Sequence, residues 1–177
     1  MNTIGLQVKD VMGEDVNLCY QCEKCTSGCP VSQEMELPPA RVMHALQLDQ
    51  KEKILKANTI WLCASCETCT TRCPQGIDIS RVMDALRIIA RREKAKASIP
   101  LVPAFYSLCL KSLKHVGCIY EAGLAGLMRL KAGTLLKDMP LAKQFLKKGK
   151  LNMFPTFRNP SRIKRIIKKV KTYERVK

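Results

Sequence analysis

The sequence of 177 residues predicts an all-α protein. Apolar residues recur at spacings of three and four residues along much of the chain, and no segment alternates apolar and polar residues as a half-buried strand does. The segment RVMHAL, from Arg41, returns as RVMDAL from Arg81, and each copy follows a run of four cysteines that ends in proline. This internal repeat predicts two similar units, each a cysteine loop followed by a helix, related by a pseudo-twofold axis.

Three helices are predicted in the repeat region. The first begins near Leu37 and the two prolines after it, because proline is tolerated in an opening turn, and it continues to about Leu48. Its counterpart begins after Asp78, a good N-cap, and runs through Ile89 into the charged stretch ARREKAK. Between the two, Asp49 is predicted to cap a short helix with the sequence DQKEKILKA.

A boundary is predicted at Pro100 and Pro103, which gives a first domain of residues 1–98 and a helical extension of residues 99–177. Apolar residues return at helical spacing after this boundary, and Gly117 is expected to end that helix. The remaining segments of the extension are a helix from Tyr120 to Lys131, the pattern LAKQFLKKGK after Pro140, and a last helix opened by Asn159 and Pro160.

Eight of the ten cysteines lie in two runs, CYQCEKCTSGCP and CASCETCTTRCP. Each run reads C-x2-C-x2-C-x3-C-P, a spacing typical of bacterial iron-sulfur ligation in which the fourth cysteine binds the other cluster. Three closely spaced thiolates can bind three corners of a [4Fe-4S] cube, but the fourth corner lies beyond their reach. The sequence therefore predicts two clusters, one on Cys19, Cys22, Cys25 and Cys73 and one on Cys63, Cys66, Cys69 and Cys29.

A structural zinc site is the alternative, because thiolates at C-x2-C spacing also bind zinc. The complete run, present twice, favours iron and sulfur. Since all eight cysteines serve as ligands, neither cube has an open iron for a substrate, and conduction of electrons is expected rather than catalysis. Small residues of the runs are candidates for hydrogen bonds to the sulfurs: Thr26, Ser27, Gly28, Ser65, Thr68 and Thr70.

The net charge of +16 is concentrated at the C-terminal end, where residues 129–177 hold 16 basic and two acidic side chains. The last helix places Ile163, Ile166, Ile167 and Val170 on one side and basic residues on the rest, and it is too short to be stable alone. Sparse aromatic residues and the lack of a recognition motif argue against nucleic acid. A membrane surface would need anionic lipid and a broader apolar side than these four residues provide. Docking on a protein partner is the preferred interpretation, and a solvated charged face is the alternative.

No membrane-spanning or exported segment is expected. The most apolar stretch, from Ile99 to Met128, is interrupted by charged residues before it reaches the length of a spanning helix. The N-terminal residues do not show the basic and apolar regions of a signal peptide. Clustered cysteines without an export signal predict a protein of the reducing cytoplasm.

The cysteine runs, the two RVM-x-AL helices and the basic tail together resemble the C subunit of heterodisulfide reductase. The portion from Cys19 to about Ala90 is also similar to the helical ferredoxin module found in succinate dehydrogenase, fumarate reductase and anaerobic glycerol-3-phosphate dehydrogenase. Only eighteen residues precede Cys19, and no adjacent cysteine pair follows the runs. These two features favour the layout of the heterodisulfide reductase protein.

The resemblance implies a helical ferredoxin-like module with two [4Fe-4S] clusters and a helical extension that docks on partners. It implies a non-catalytic electron-transfer protein of a larger complex, which relays electrons from an A subunit with flavin and iron-sulfur centres to a B subunit with disulfide-reducing CCG domains. A hydrogenase or formate dehydrogenase module is a further partner it allows. The alternatives are a free two-cluster carrier of the ferredoxin kind and a zinc-stabilised basic binding module.

Overall fold

The computed structural model of the chain describes residues 3–133, residue 148 and residues 158–176. The chain divides into two compact units, Met1–Pro100 and Leu101–Lys177. Every regular element in the described residues is an α-helix or a short 3₁₀ helix, which confirms the all-α prediction. None of the described helices is both long and apolar enough to cross a membrane.

The first unit is built from short helices joined by tight loops. Its α-helices are α1 (Ile4–Met12), α2 (Lys24–Ser27), α3 (Pro39–Gln47), α4 (Lys51–Lys56), α5 (Thr59–Leu62), α6 (Thr68–Thr71) and α7 (Ile79–Arg92). Two 3₁₀ helices, Val16–Leu18 and Ser32–Glu34, lie before the first cysteine run and after it. The helix α1 packs on α7 and α3, and α2 packs on α3 and α6.

The repeat helices α3 and α7 begin where the sequence predicts. Proline occupies the first position of α3, where the missing N–H group has no helical partner to lose. The side chain of Asp78 caps α7 by accepting a hydrogen bond of 3.0 Å from the backbone N–H of Arg81. Both helices therefore have their start fixed by local residue chemistry.

The predicted role of Asp49 as the cap of α4 is wrong. The residue before α4 is Gln50, whose side chain makes no capping hydrogen bond. Asp49 instead accepts a hydrogen bond of 2.8 Å from the backbone N–H of Ile4, at the first turn of α1. The carboxylate serves a helix 45 residues earlier in the chain, a partner that no local pattern indicates.

Equivalent residues of the two repeats form the core of the first unit. The buried pairs are Val16 with Ile60, Val42 with Val82, Met43 with Met83, Ala45 with Ala85 and Leu46 with Leu86. The first pair is separated by 44 residues, the cysteine offset between equivalent cysteines of the two runs. The other pairs are separated by 40 residues, the helix offset between Arg41 and Arg81. Complete burial of one such aliphatic side chain stabilises a fold by about 1.5–3 kcal/mol.

The second unit contains α8 (Leu101–Val116), α9 (Glu121–Ala132) and α10 (Pro160–Val176), with α8 packed on both of the others. Gly117 ends α8 in a left-handed conformation with a φ of 83°. The N–H group of Arg158 donates to the carbonyl of Val116 over 2.9 Å. A Cβ atom at Gly117 would lie 1.7 Å from the carbonyl oxygen of Arg158, so only glycine allows this close approach.

None of the described side chains of the second unit is fully buried. The apolar helical surroundings of Cys109 and Cys118 in the sequence predict buried structural thiols, but both residues are only half-buried. On α10, the predicted apolar side is divided, because Ile163 and Ile167 are half-buried whereas Ile166 remains exposed. The pattern LAKQFLKKGK lies outside the described residues except for its residue 148.

Candidate metal centre

The two cysteine loops have the same unusual backbone. The residues between the cysteines take left-handed conformations at equivalent places, with φ of 60° at Gln21 and 49° at Ser65, and 60° at Glu23 and 61° at Glu67. Left-handed residues at alternate positions curve the chain so that its N–H groups can line a concave, anion-binding surface of the kind found at iron-sulfur sites. The backbone therefore fits a cluster whose sulfides carry negative charge.

Threonine hydroxyls tie each loop to the helix that follows it. Thr26 Oγ1 accepts a hydrogen bond of 3.0 Å from the N–H group of Ala40 in α3. Thr70 Oγ1 accepts from the N–H group of Ser80 over 3.4 Å and donates to Asp78 over 2.9 Å. These bonds satisfy donors in the first turns of α3 and α7, which have no partner within their own helices.

The end of α3 returns to the start of the first cysteine loop. Gln47 Nε2 donates to the carbonyl of Cys19 over 2.8 Å and to that of Val16 over 3.2 Å. The side-chain amide of Gln21 lies 3.0 Å from Gln47 and 3.4 Å from the sulfur of Cys19. A neutral pair of amides thus supports the loop that carries Cys19.

Arg87 makes the equivalent contacts at the second loop. Its Nε donates to the carbonyl of Ile60 over 2.5 Å, its Nη2 donates to the carbonyl of Cys63, and its Nη1 donates to the hydroxyl of Ser65 over 3.2 Å. The guanidinium also forms an ion pair of 2.7 Å with Asp84. A cationic side chain therefore supports the loop that carries Cys63.

The fourth cysteine of the first run lies with the second run. A cavity of about 380 Å³, counting its part open to solvent, is lined by Cys29 together with Cys63, Cys66 and Cys69. Its remaining walls are mostly apolar or small and include Val31, Met35, Pro39, Ala64 and Met83. Four thiols around a partly apolar cavity are the donor set that a [4Fe-4S] cube requires.

The fourth cysteine of the second run approaches the first run. Partial loss of solvent, together with the nearby thiols of Cys22 and Cys73, raises the pKa of the Tyr20 phenol. The geometry agrees, because Arg72, next to Cys73, lies against Gly28 of the first run, and the helices α2 and α6 of the two runs pack together. The two runs, although 44 residues apart in sequence, each approach the last cysteine of the other.

Two polar contacts hold the chain in this crossed arrangement. Glu14 Oε2, before the first run, accepts a hydrogen bond of 3.2 Å from the N–H group of Asp78, after the second run. Asn58, before the second run, accepts from the N–H group of Glu36 over 2.9 Å and donates to the carbonyl of Glu34 over 3.2 Å. Each segment that enters a loop is therefore bound to the segment that leaves the other loop.

The cysteines differ in exposure and in acidity. Burial raises the pKa of the Cys25 thiol, and burial raises the pKa of Cys69 to about 11. A hydrogen bond with the hydroxyl of Thr68, 3.5 Å from the sulfur, lowers the pKa of the exposed Cys66. Because iron binds thiolates, loading the site with iron must release the thiol protons.

The small residues predicted to contact sulfurs have several roles. Thr68 contacts the sulfur of Cys66, as predicted. Ser65 accepts from Arg87, and Ser27 donates to the carbonyl of Lys24 over 3.1 Å. Gly28 lies against the side chain of its repeat equivalent, Arg72, which would be 2.7 Å from an added Cβ atom.

Sequence reasoning missed Gln47 and Arg87 as supports of the cysteine loops. The available signal was the helix offset of 40 residues, which makes these two positions equivalent. The isolated histidines of the chain, His44 and His115, are exposed on the surfaces of their helices. Among the residues that the structure describes, no three His, Cys, Asp or Glu side chains converge on the position of a single metal ion.

Comparison with known proteins supports an iron-sulfur site. Residues 18–78 match the family model described as a 4Fe-4S dicluster domain. The chain is 35% identical over 78 residues to the iron-sulfur C subunit of the CoB--CoM heterodisulfide reductase of Methanopyrus kandleri. That match covers 44% of this chain and 41% of the relative, so the chain spans less than half the length of this curated relative. Residues 18–78 therefore resemble a 4Fe-4S dicluster domain, and the resemblance of the chain to the C subunit of heterodisulfide reductase is confirmed over the 78 matched residues.

Proposed function

We propose that the chain is an electron-transfer protein that holds two [4Fe-4S] clusters by crossed ligation. The first cluster is assigned to Cys19, Cys22, Cys25 and Cys73, and the second to Cys63, Cys66, Cys69 and Cys29. The observation that carries this proposal is the cavity shared by Cys29 and the three cysteines of the other run. The two contacts that join each incoming segment to the opposite outgoing segment support the same assignment.

The chain's own residues keep the two sites rigid and partly exposed. When bound, a [4Fe-4S] cluster accepts and gives up a single electron. Hydrogen bonds from Gln47 and Arg87 fix the backbone of each loop, which limits movement of the ligands when the charge changes. Cys22 and Cys66 are exposed, so each site has an edge at which a partner's redox group can approach.

Partner docking is assigned to the second unit. Its helices expose large apolar side chains, including Phe105, Leu110 and Leu127, and α10 carries Arg162, Lys164, Arg165, Lys168 and Lys169. Exposed apolar groups beside basic groups suit a partner with an apolar patch and an acidic rim. By the resemblance, we assign this surface to the CCG-domain B subunit of a heterodisulfide reductase-type complex, with the flavin-containing A subunit as the electron donor, in a reducing cytoplasm.

Iron and sulfide analysis after anaerobic purification tests the proposed cofactors. Two clusters predict about eight iron and eight sulfide ions per chain and a paramagnetic signal after reduction. A colourless protein that contains zinc and no iron would contradict the proposal and support a zinc-stabilised binding module.

Removal of residues 159–177 tests the docking assignment separately. A chain that lacks them should keep its iron but no longer co-purify with the CCG-domain partner. Co-purification that survives the deletion would contradict docking through α10, while leaving the cluster assignment in place.

A further inference from the structure

The two cysteine loops are supported by side chains of different charge at the same structural position. Gln47 and Arg87 are separated by the helix offset of 40 residues, and the carbonyl groups they bind belong to residues separated by the cysteine offset of 44. The backbone contacts are therefore equivalent. The difference is that one loop receives a neutral amide and the other a guanidinium.

The charge of Arg87 is held close to its loop and away from water. Its side chain is 17% exposed, and three of its contacts are to the segment that contains Cys63. The counter-charge, Asp84, is 42% exposed, so solvent screens it more effectively. The equivalent of Asp84 in the first repeat is His44, which is exposed.

The cations within the loops are exposed, and the partly buried charges at the start of α7, Glu14 and Asp78, are carboxylates. Lys24 in the first loop is replaced by Thr68 in the second, and Gly28 is replaced by Arg72. Both Lys24 and Arg72 are exposed. The side chain of Arg72 lies against Gly28, so it is next to the fourth cysteine of each run. Arg87 is the sheltered cation that distinguishes the two supports.

We propose that Arg87 is a positioning residue that raises the reduction potential of the cluster held by the Cys63 run above that of the cluster held by the Cys19 run. This inference rests on the proposed function, since it requires both clusters. A sheltered positive charge stabilises the reduced form, which has one more negative charge, and potentials of such clusters depend on nearby charge and hydrogen bonding. One electron moves without the making or breaking of a bond. At equilibrium, a singly reduced chain holds its electron on the Cys63 side.

The test is a redox titration of the anaerobically purified chain, followed by electron paramagnetic resonance. The variants Cys22→Ala and Cys66→Ala assign the two signals, because each removes one ligand of one run. Arg87→Gln, which places the residue of the first repeat in the second, should lower the potential of the Cys63-side signal and leave the other in place. We expect at least a tenfold change in the distribution of the electron, which is about 59 mV for a one-electron couple.

Asp84→Asn is the companion variant, because it removes the counter-charge and leaves the contacts of Arg87 with the loop. It should raise the potential of the same signal. Should Arg87→Gln lose iron from the Cys63 side, the result with Asp84→Asn decides the question.

Unchanged potentials in both variants, or equal shifts of both signals, would overturn the role of Arg87 while leaving the two clusters established. A wild-type chain with no [4Fe-4S] signal would instead contradict the proposed function itself. The two failures are therefore distinguishable.

Discussion

The two units of the chain contrast most clearly in their burial. In the first unit, the helices of both repeats enclose a continuous set of fully buried side chains, from Ile4 to Leu86. In the second unit, none of the described side chains is fully buried, although three helices pack there. A helix that leaves its apolar side in water gains little stability from packing. The first unit is therefore organised around its own core, whereas the described apolar side chains of the second unit remain partly or fully exposed.

The largest effect is expected from a change in the core of the first unit. Leu86→Ala removes a side chain with no exposed area and should lower the free energy of unfolding by about 2–5 kcal/mol. The matched control is Leu127→Ala in the second unit. The Leu127 side chain is 50% exposed, so this change should lower the free energy of unfolding by about 0.5 kcal/mol or less. Anaerobic urea titration measures both. Equal losses in the two variants would remove the contrast between the units.

A smaller effect is expected from the contact that fixes the crossed arrangement. Asn58→Ala leaves the N–H group of Glu36 and the carbonyl of Glu34 without their side-chain partner, at a cost of about 1–3 kcal/mol. Because these groups lie on the chain that leaves Cys29, iron should be lost first from the Cys63 side. The control is Asn17→Ala, an exposed asparagine near the other run. Iron analysis and paramagnetic resonance measure the loss. An equal loss of both cluster signals would contradict the crossed arrangement.

The junction between α8 and α10 should be sensitive to one methyl group. Gly117→Ala places an alanine in the left-handed backbone conformation, which costs about 1–2 kcal/mol. The added Cβ atom also displaces Arg158 from its hydrogen bond with Val116. The expected result is weaker binding to the partner with unchanged iron content. Gly126→Ala in α9 is the control, since nothing lies within 4 Å of its added Cβ atom. A pull-down assay in which both variants bind equally would refute this role of the junction.

The smallest effect on stability is expected at the exposed apolar side of α10. Ile166→Asp changes a side chain that is 54% exposed, so the free energy of unfolding should change by about 0.5 kcal/mol or less. Binding to the partner should nevertheless weaken by about tenfold or more, because a charge replaces an apolar contact. Thr172→Asp is the control, because it adds the same charge at another exposed position of α10. Equal binding by the two variants would indicate that Ile166 does not face the partner.

Local chemistry explains what the sequence could predict. Prolines and caps determine where α3 and α7 begin, and the cysteine spacing indicates that each run lacks a fourth ligand of its own. Contacts between distant segments could not be predicted in the same way. Asp49 binds Ile4, and Arg87 binds the loop of Cys63, only because folding brings these segments together. The half-buried state of Cys109 likewise depends on how loosely the second unit packs, which apolar spacing does not report.

Crossed ligation is the central claim, and paramagnetic resonance of Cys29→Ala tests it most directly. The spectrum is compared with those of Cys22→Ala and Cys66→Ala, which mark the first and second runs. Crossed ligation predicts that Cys29→Ala loses the same signal as Cys66→Ala and keeps the signal that Cys22→Ala loses. Loss of the Cys22-side signal in Cys29→Ala, with the Cys66-side signal intact, would contradict the account.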